Sequence, residues 1–132
     1  MSENRLLKFT NGEIDVDAVE EVSISKRLDE TVGKFKIKPL KSRDYSLMKM
    51  NSTDKKGNTD EIILQYEVVM KCCVDPKFDS PEVLSAFNCA TPYDLIDRIL
   101  SLGELVNISN KILSVSGLSG NLASEIEEAK KS

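Results

Sequence analysis

The sequence contains no histidine, although it has 132 residues and 30% of them are charged. Histidine is the commonest general base, the usual base partner of a serine or cysteine nucleophile, and the commonest ligand of transition metals. The 22 aspartate and glutamate residues could still form an acid and base pair. Most of them, however, fall on predicted polar helix faces, in the first twenty residues or near the C-terminus. We therefore predict that the protein is not an enzyme, with no catalytic residue and no cofactor.

Cysteine is also scarce, since only Cys72, Cys73 and Cys89 are present. Their spacing matches neither the Cys-x-x-Cys pairs nor the cysteine and histidine patterns of metal sites. Free cysteine behaves as a small buried hydrophobic residue, so we predict three reduced core residues in a reducing compartment. A calcium loop is excluded as well, because placing Gly57 at the sixth position of an EF-hand puts Ile63 where glutamate is required. We predict no metal site.

Long apolar runs and excess positive charge are both absent. No run approaches the ~18 residues of a membrane span, and residues 1–5 do not lead into a signal peptide. We therefore expect a cytoplasmic protein without a membrane partner. The net charge of -4 also argues against nucleic-acid binding, and we interpret the row Lys34, Lys36 and Lys38 as protection of an edge strand. No glycine-rich phosphate loop occurs. A protein partner is favoured.

Hydrophobic alternation predicts an antiparallel β-hairpin over about residues 20–40. Val22 and Ile24 alternate with serines, and Phe35 and Ile37 alternate with lysines. Beyond the hairpin, helical periodicity predicts helices at about residues 42–50, 60–74, 80–88, 91–102 and 103–117. The predicted fold is α+β and mainly α, with the N-terminal hairpin packed on a C-terminal bundle of about four to five short helices. Residues 1–118 would form one domain, followed by an acidic, marginally helical tail at 119–132.

Capping residues, glycines and apolar faces define these predicted helices further. Thr91 before Pro92 predicts a helix start, Gly103 is expected to separate the last two helices, and Gly117 is expected to end the last one. The helix at 60–74 is predicted to be the central core helix. Its main buried face would hold Ile62, Ile63, Tyr66, Val69, Met70 and Cys73, with Leu64 and Val68 on a second apolar side.

Two apolar stripes near the C-terminus are candidates for partner binding. The first comprises Leu105, Ile108 and Ile112 in the last predicted helix, and the second comprises Leu122 and Ile126 in the acidic tail. The alternative interpretation of the first stripe is that it belongs to the core. The second lies on a segment too short to be a stable helix alone, so it could fold on a partner.

The order and spacing of several segments resemble those of phage tail assembly chaperones of the XkdN-like type, from phages and prophage elements of Gram-positive bacteria. The segments are EEVSISKRLDETVGKFKIKPLKS, CCVDPKFDSPEVLSAF, and LIDRILSLGELVNISNKILSVSGL followed by NLASEIEEAKK. Two departures are Ser-Gly-Leu at 116–118, where Asn-Gly-Phe is expected, and the lack of proline before the Gly-Glu pair at 103–104.

The resemblance implies a non-enzymatic factor of the host bacterial cytoplasm that is absent from the mature virion. Such a factor binds the long tape measure protein and keeps it soluble while the tail tube assembles. In many such systems a frameshifted, longer product also engages the tail tube protein, and a chain ending at Ser132 would be the short form. Repeated weak contacts along one client would favour a homo-oligomer. The alternatives are a small prophage interaction or adaptor module, a transcriptional regulator, and a carboxylate-using enzyme subunit.

Overall fold

The computed structural model of the protein describes residues 4–10 and 18–118. These residues form six α-helices, a three-stranded antiparallel sheet and one 3-10 turn, which confirms the predicted α+β, mainly α class. In chain order the elements are the 3-10 turn (Arg5–Phe9), β1 (Glu20–Val22), α1 (Lys26–Thr31), β2 (Phe35–Ile37), α2 (Ser42–Ser52), α3 (Glu61–Cys72), β3 (Cys73–Asp75), α4 (Pro81–Ala86), α5 (Pro92–Ile99) and α6 (Leu102–Val115).

The two predicted hairpin strands pair in antiparallel register, with Val22 opposite Phe35. The connection between them differs from the prediction because it contains helix α1. Ser25 was expected to continue the first strand, but its hydroxyl accepts a hydrogen bond from the Leu28 N–H at 3.1 Å and so caps a helix. Ile24 is buried just outside β1, where its side chain still reaches the core.

A third strand, β3, was not predicted. The sequence predicts that the central helix extends to residue 74. In the structure α3 ends at Cys72, and the next three residues form β3, which pairs with β2. Asp75 precedes Pro76, and a residue before proline is disfavoured in the helical conformation, so the chain turns to extended backbone here. The Lys38 N–H donates to the Cys72 carbonyl at 2.9 Å, which fixes the end of α3 against the sheet.

Helix α3 lies at the centre of the core and packs against both α2 and α6. Its buried side chains are Leu64, Val68, Val69 and Cys72. The predicted main face is right for Val69 and Cys73, which are buried, and wrong for Ile62 and Ile63, which are 40% and 38% exposed. The predicted second side, Leu64 and Val68, is buried. Apolar side chains surround most of this helix, so periodicity could not indicate which of them face the neighbouring helices.

The break between α5 and α6 lies at Ser101, and the predicted break at Gly103 is wrong. The Ser101 hydroxyl accepts a hydrogen bond from the Glu104 N–H at 3.2 Å, and the Glu104 carboxylate accepts one from the Ser101 N–H at 2.8 Å. This reciprocal capping box starts α6 and places Gly103 inside its first turn. The predicted start at Thr91 and the stop at Gly117 are confirmed: Thr91 caps α5, and Gly117 has a φ of 87° immediately after the last turn of α6.

The Glu104 carboxylate also links α6 to α1. It is 7% exposed and accepts hydrogen bonds from the Ser25 hydroxyl at 2.6 Å and from Arg27. The same guanidinium donates to the Ile99 carbonyl at 2.7 Å. The hydrogen bond from Arg27 is the main cause that lowers the pKa of Glu104 from 4.5 to about 2. The hydrogen bonds from Ser101 and Ser25 lower it further. This network joins α1 to the turn between α5 and α6.

Replacing this carboxylate tests the network. Because the folded pKa of Glu104 lies below its ordinary value, its contribution to stability is complete above pH 4.5 and is lost as the pH falls towards 2. We expect Glu104→Gln to lower the free energy of unfolding at pH 7 by about 2 kcal/mol. We also expect the variant to lose less stability than the parent between pH 4.5 and 2. Urea unfolding followed by circular dichroism across this pH range measures both effects.

Glu30→Gln is the matched control, because Glu30 is 65% exposed and lies 4.0 Å from Lys26 on the surface of α1. Surface pairs contribute little, so the control should change the free energy of unfolding by less than about 0.5 kcal/mol. Equal losses in the two variants would contradict a central role for Glu104.

Two glycine substitutions test the assignment of the ends of α6. Gly103 lies in the first turn with no atom within 4 Å of an added Cβ, so Gly103→Ala should stabilise the protein by about 0.5 kcal/mol. Gly117 has a φ of 87°, so Gly117→Ala should destabilise it by about 1 kcal/mol. Thermal unfolding of both variants measures the two signs. Destabilisation by Gly103→Ala would return the break to Gly103.

Candidate partner-binding site

The predicted contact residues of α6 lie inside the core. Leu105 is 4% exposed, and Ile108 and Ile112 are fully buried. Helix α6 packs these side chains against α3, so a partner could reach them only if α6 left the core. These three residues are therefore not part of the site described below, and their role in binding stays a prediction. Leu122 and Ile126 lie outside the described residues.

An open apolar groove of about 920 Å³ lies where α2 meets the end of α6. We call it the α2–α6 groove. Its lining residues are Leu40, Lys41, Ser42, Tyr45, Ser46, Lys49, Met50, Thr53, Ser116 and Leu118. Most of this lining is apolar surface. A concave surface of this kind can accept apolar side chains from another segment of protein.

Helix α2 forms one wall of the groove. Tyr45 and Met48 are buried, whereas Leu47 is 51% exposed. Met50 is 71% exposed and lines the groove, so an apolar side chain lies open to solvent at its edge. The Lys49 ammonium lies 6.0 Å from the centroid of the Tyr45 ring and gives the same wall a positive charge.

The loop after α2 holds this wall in place. The Thr53 hydroxyl donates to the Lys49 carbonyl at 2.6 Å and lies 2.9 Å from the Thr59 hydroxyl. The Asp60 N–H then donates to the Ser52 carbonyl at 2.7 Å, immediately before α3 begins. These bonds close the loop between α2 and α3, so the α2 wall is fixed to the central helix.

The end of α6 forms the opposite wall. The Ser116 hydroxyl accepts a hydrogen bond from the Leu40 N–H at 2.8 Å and donates to the Ile112 carbonyl at 2.6 Å. After Gly117 the Leu118 N–H donates to the Leu113 carbonyl at 2.8 Å, so Leu118 turns back onto the protein and lines the groove. A single hydroxyl therefore joins segments that are 76 residues apart in sequence.

This groove is not apparent from the sequence. Met50 falls off the periodic buried face of α2, and nothing in the local pattern distinguishes it from an isolated surface methionine. Leu40 and Leu118 follow a strand and a helix, respectively, and carry no periodic signal. The position of Leu40 and Leu118 just beyond the end of an element is the sequence feature that indicates the groove, and such a position is common in proteins.

Several titratable groups outside the groove have pKa values that their surroundings shift. Burial raises the pKa of the Cys72 thiol to about 11 and that of Cys73 to about 12, so both thiols remain protonated at neutral pH. A hydrogen bond to Glu67 raises the pKa of Tyr93 to about 12. Within residues 4–10 and 18–118, no three His, Cys, Asp or Glu side chains are grouped to hold a metal ion. No helix in these ranges is long and apolar enough to cross a membrane.

The fold resembles that of a solved protein. The crystal structure of the protein yqbn superimposes with a TM-score of 0.68, covers 89% of this chain and 100% of that chain, and has 24% sequence identity. This similarity concerns the fold alone.

The sequence is similar to a curated relative over most of both chains. The phage-like element PBSX protein XkdN of Bacillus subtilis strain 168 is 31% identical over 121 residues, which is 83% of this chain and 82% of the relative. The model of the phage XkdN-like tail assembly chaperone proteins matches residues 4–130. The chain therefore belongs to the family of phage XkdN-like tail assembly chaperones.

Proposed function

We propose that this chaperone binds the tape measure protein of its phage or prophage tail through the α2–α6 groove. It acts without catalysis in the cytoplasm of the host bacterium and is absent from the mature virion. The observation that carries the proposal is the open apolar groove, with Met50 exposed at its edge on a chain whose family assembles tails.

The groove suits a helical client. The resemblance implies that a tape measure protein is a long helical chain with apolar stripes, and an amphipathic helix binds by laying its apolar face in a groove. The eleven-residue helix α2 spans about 16 Å, so one wall can follow about three turns of a client helix. Leu40, Met50 and Leu118 would cover the apolar stripe, while Lys41 and Lys49 lie where acidic flanking residues of the client would pass.

Weak individual contacts are sufficient for this task. A long client offers many similar stripes, so several chaperone molecules bound to one client would cover it, and contacts among them would add through multivalency. Self-association of the chaperone and contact with the tail tube protein belong to the same proposal. The contact between chaperone molecules and the contact with the tail tube protein would both use surfaces outside the groove.

Co-expression tests client binding. The chain is expressed with the tape measure protein of its phage or prophage, and the soluble fraction of the tape measure protein is measured after centrifugation. We expect Met50→Glu to abolish most of the gain in solubility and the co-purification, because a carboxylate would have to be buried without a partner under the client. The surface position of Met50 predicts a change in the free energy of unfolding within about 0.5 kcal/mol.

Leu102→Glu is the matched control. Leu102 is also a large exposed side chain, at 65%, but it lies at the start of α6 and does not line the groove. This variant should solubilise the tape measure protein as the parent does. If the parent chain neither solubilises nor co-purifies with the tape measure protein, the proposed function is wrong. Equal loss in both variants would remove the groove as the site.

A further inference from the structure

Two isoleucines that the sequence assigns to a buried face lie at the surface instead. Ile62 and Ile63 belong to the first turn of α3, and both are exposed. Tyr66 follows one turn later, so helical spacing places its side chain beside theirs. The ring centroids of Tyr66 and of Tyr93 on α5 are 6.1 Å apart, and the two ring planes are inclined by 49°. An aromatic pair and two isoleucines therefore share one surface at the junction of α3 and α5.

Carboxylates surround this tyrosine pair. The Tyr66 hydroxyl donates to the Asp97 carboxylate at 3.0 Å. The Tyr93 hydroxyl donates to the Glu67 carboxylate. Burial, the hydrogen bond to Asp97 and the nearby charge of Asp60 all raise the pKa of Tyr66, so Asp60 lies close as well. We call this surface the tyrosine face, and its members are Ile62, Ile63, Tyr66 and Tyr93 with the carboxylates Asp60, Glu67, Asp94 and Asp97.

The tyrosine face has the chemistry of a site for a basic side chain. A lysine or arginine cation is attracted to the electron-rich face of a tyrosine ring. A carboxylate offers about four acceptor positions, so those already bonded to a tyrosine can accept a further hydrogen bond from the cation. The exposed isoleucines can pack against the methylene groups of the same side chain.

The chain itself contains a matching basic segment. Residues 34–43 include four lysines and one arginine but no aspartate or glutamate, although the whole chain has a net charge of -4. Lys34, Lys36 and Lys38, which we call the lysine row, lie on the solvent side of the sheet, because the residues between them are buried. Strand β2 is the central strand, so the row does not protect an edge, contrary to the expectation from the sequence.

The two ends of the lysine row carry most of its unbalanced charge. Lys36 lies opposite Glu21 on β1 and opposite Asp75 on β3, so carboxylates flank it on both sides. Lys34 and Lys38 are four residues apart, which is about 13 Å along an extended chain. The row therefore presents two separated cations to a partner.

The lysine row and the tyrosine face lie towards opposite ends of α3. The Lys38 N–H donates to the carbonyl of Cys72, the last residue of α3, whereas Ile62 lies in its first turn. Ten residues of helix span about 15 Å, so one molecule can use both surfaces at once. Like charges oppose the pairing of either surface with its own copy, so a contact between two molecules would join unlike surfaces. Such heterologous contacts continue into rows or close into rings.

We propose that this protein associates with itself head to tail, and that the lysine row of one molecule binds the tyrosine face of the next. The pairing needs no client, and only its use along a tape measure protein rests on the proposed function. There it would place successive chaperone molecules side by side on one client, with the contacts between neighbours adding to the contacts with the client.

Sedimentation equilibrium of the full chain without a client tests the pairing. At low salt we expect the average mass to rise with protein concentration above the 14.7 kDa of one chain. Raising the salt from about 0.02 M to about 0.5 M should return it towards one chain, because screening shortens the range of charge interactions. A parent chain that stays monomeric at low salt would overturn the proposal.

Two double variants of opposite charge test the surfaces. The row variant combines Lys34→Gln with Lys38→Gln, and the face variant combines Asp94→Asn with Asp97→Asn. Each should raise the dissociation constant about tenfold, because cations lose their ring and carboxylate contacts. The first makes the chain more acidic and the second makes it less acidic, so an effect of net charge alone would change the two in opposite directions. Unchanged urea midpoints would show that both variants are folded.

Mixing the two variants tests the head-to-tail arrangement. The row variant keeps an intact tyrosine face, and the face variant keeps an intact lysine row. An equal mixture should therefore form pairs that do not grow further, under conditions in which each variant alone is monomeric. A mixture that stays monomeric would overturn the proposal.

Lys8→Gln with Lys26→Gln is the matched control for the row variant. Both lysines are exposed, lie outside the two surfaces and remove the same charge. This control should associate as the parent does, and dissociation equal to that of the row variant would overturn the proposal. A monomeric parent that still solubilises its tape measure protein would remove the self-association and keep the proposed function. An associating parent that does not solubilise it would do the reverse.

Discussion

One buried carboxylate, that of Glu104, connects segments of this fold that are 77 to 79 residues apart in sequence. Its donors come from the start of α1, from the Arg27 guanidinium and from the residue that caps α6. A buried charge is tolerated only when such donors are present together. The position of α1 and the first turn of α6 are therefore fixed by the same interaction. Because a helix is a rigid rod, this also sets the position of Ser116, twelve residues and about 18 Å further along.

The groove depends on that geometry. Ser116 must reach the backbone of Leu40, and Leu118 must turn back towards α2, before the two walls face each other. The loop closed by Thr53 and Thr59 holds the α2 wall against α3. Preorganised walls reduce the entropy that is lost when a partner binds. The apolar surface thus lies between two walls that hydrogen bonds hold in place.

Strong local signals predicted the parts of the fold that depend on a few adjacent residues. Thr91 before Pro92 starts α5, and Gly117 ends α6, because capping and positive φ are local requirements. The central helix was harder: apolar side chains surround α3, and only its neighbours determine that Leu64 is buried and Ile63 is exposed. Strand β3 has three residues and is stabilised by pairing with β2, so its own sequence contains little signal.

The candidate site was less predictable for a related reason. The α6 stripe of Leu105, Ile108 and Ile112 has the same periodicity whether it faces a core or a partner, and only the packed structure distinguishes the two. The groove is lined by residues between Leu40 and Thr53 and by Ser116 and Leu118, and the local sequence of neither segment indicates a binding surface. The family was easier to identify than the surface, since the order of segments along the whole chain carries the resemblance.

The hydrogen bond between Leu40 and Ser116 has a consequence for synthesis on the ribosome. The α2 wall emerges early, but its counterpart is translated 76 residues after Leu40. A nascent chain therefore exposes half of an apolar surface and cannot form the groove until α6 has emerged and packed. If the groove binds a client as proposed, only molecules with a complete domain would bind it there.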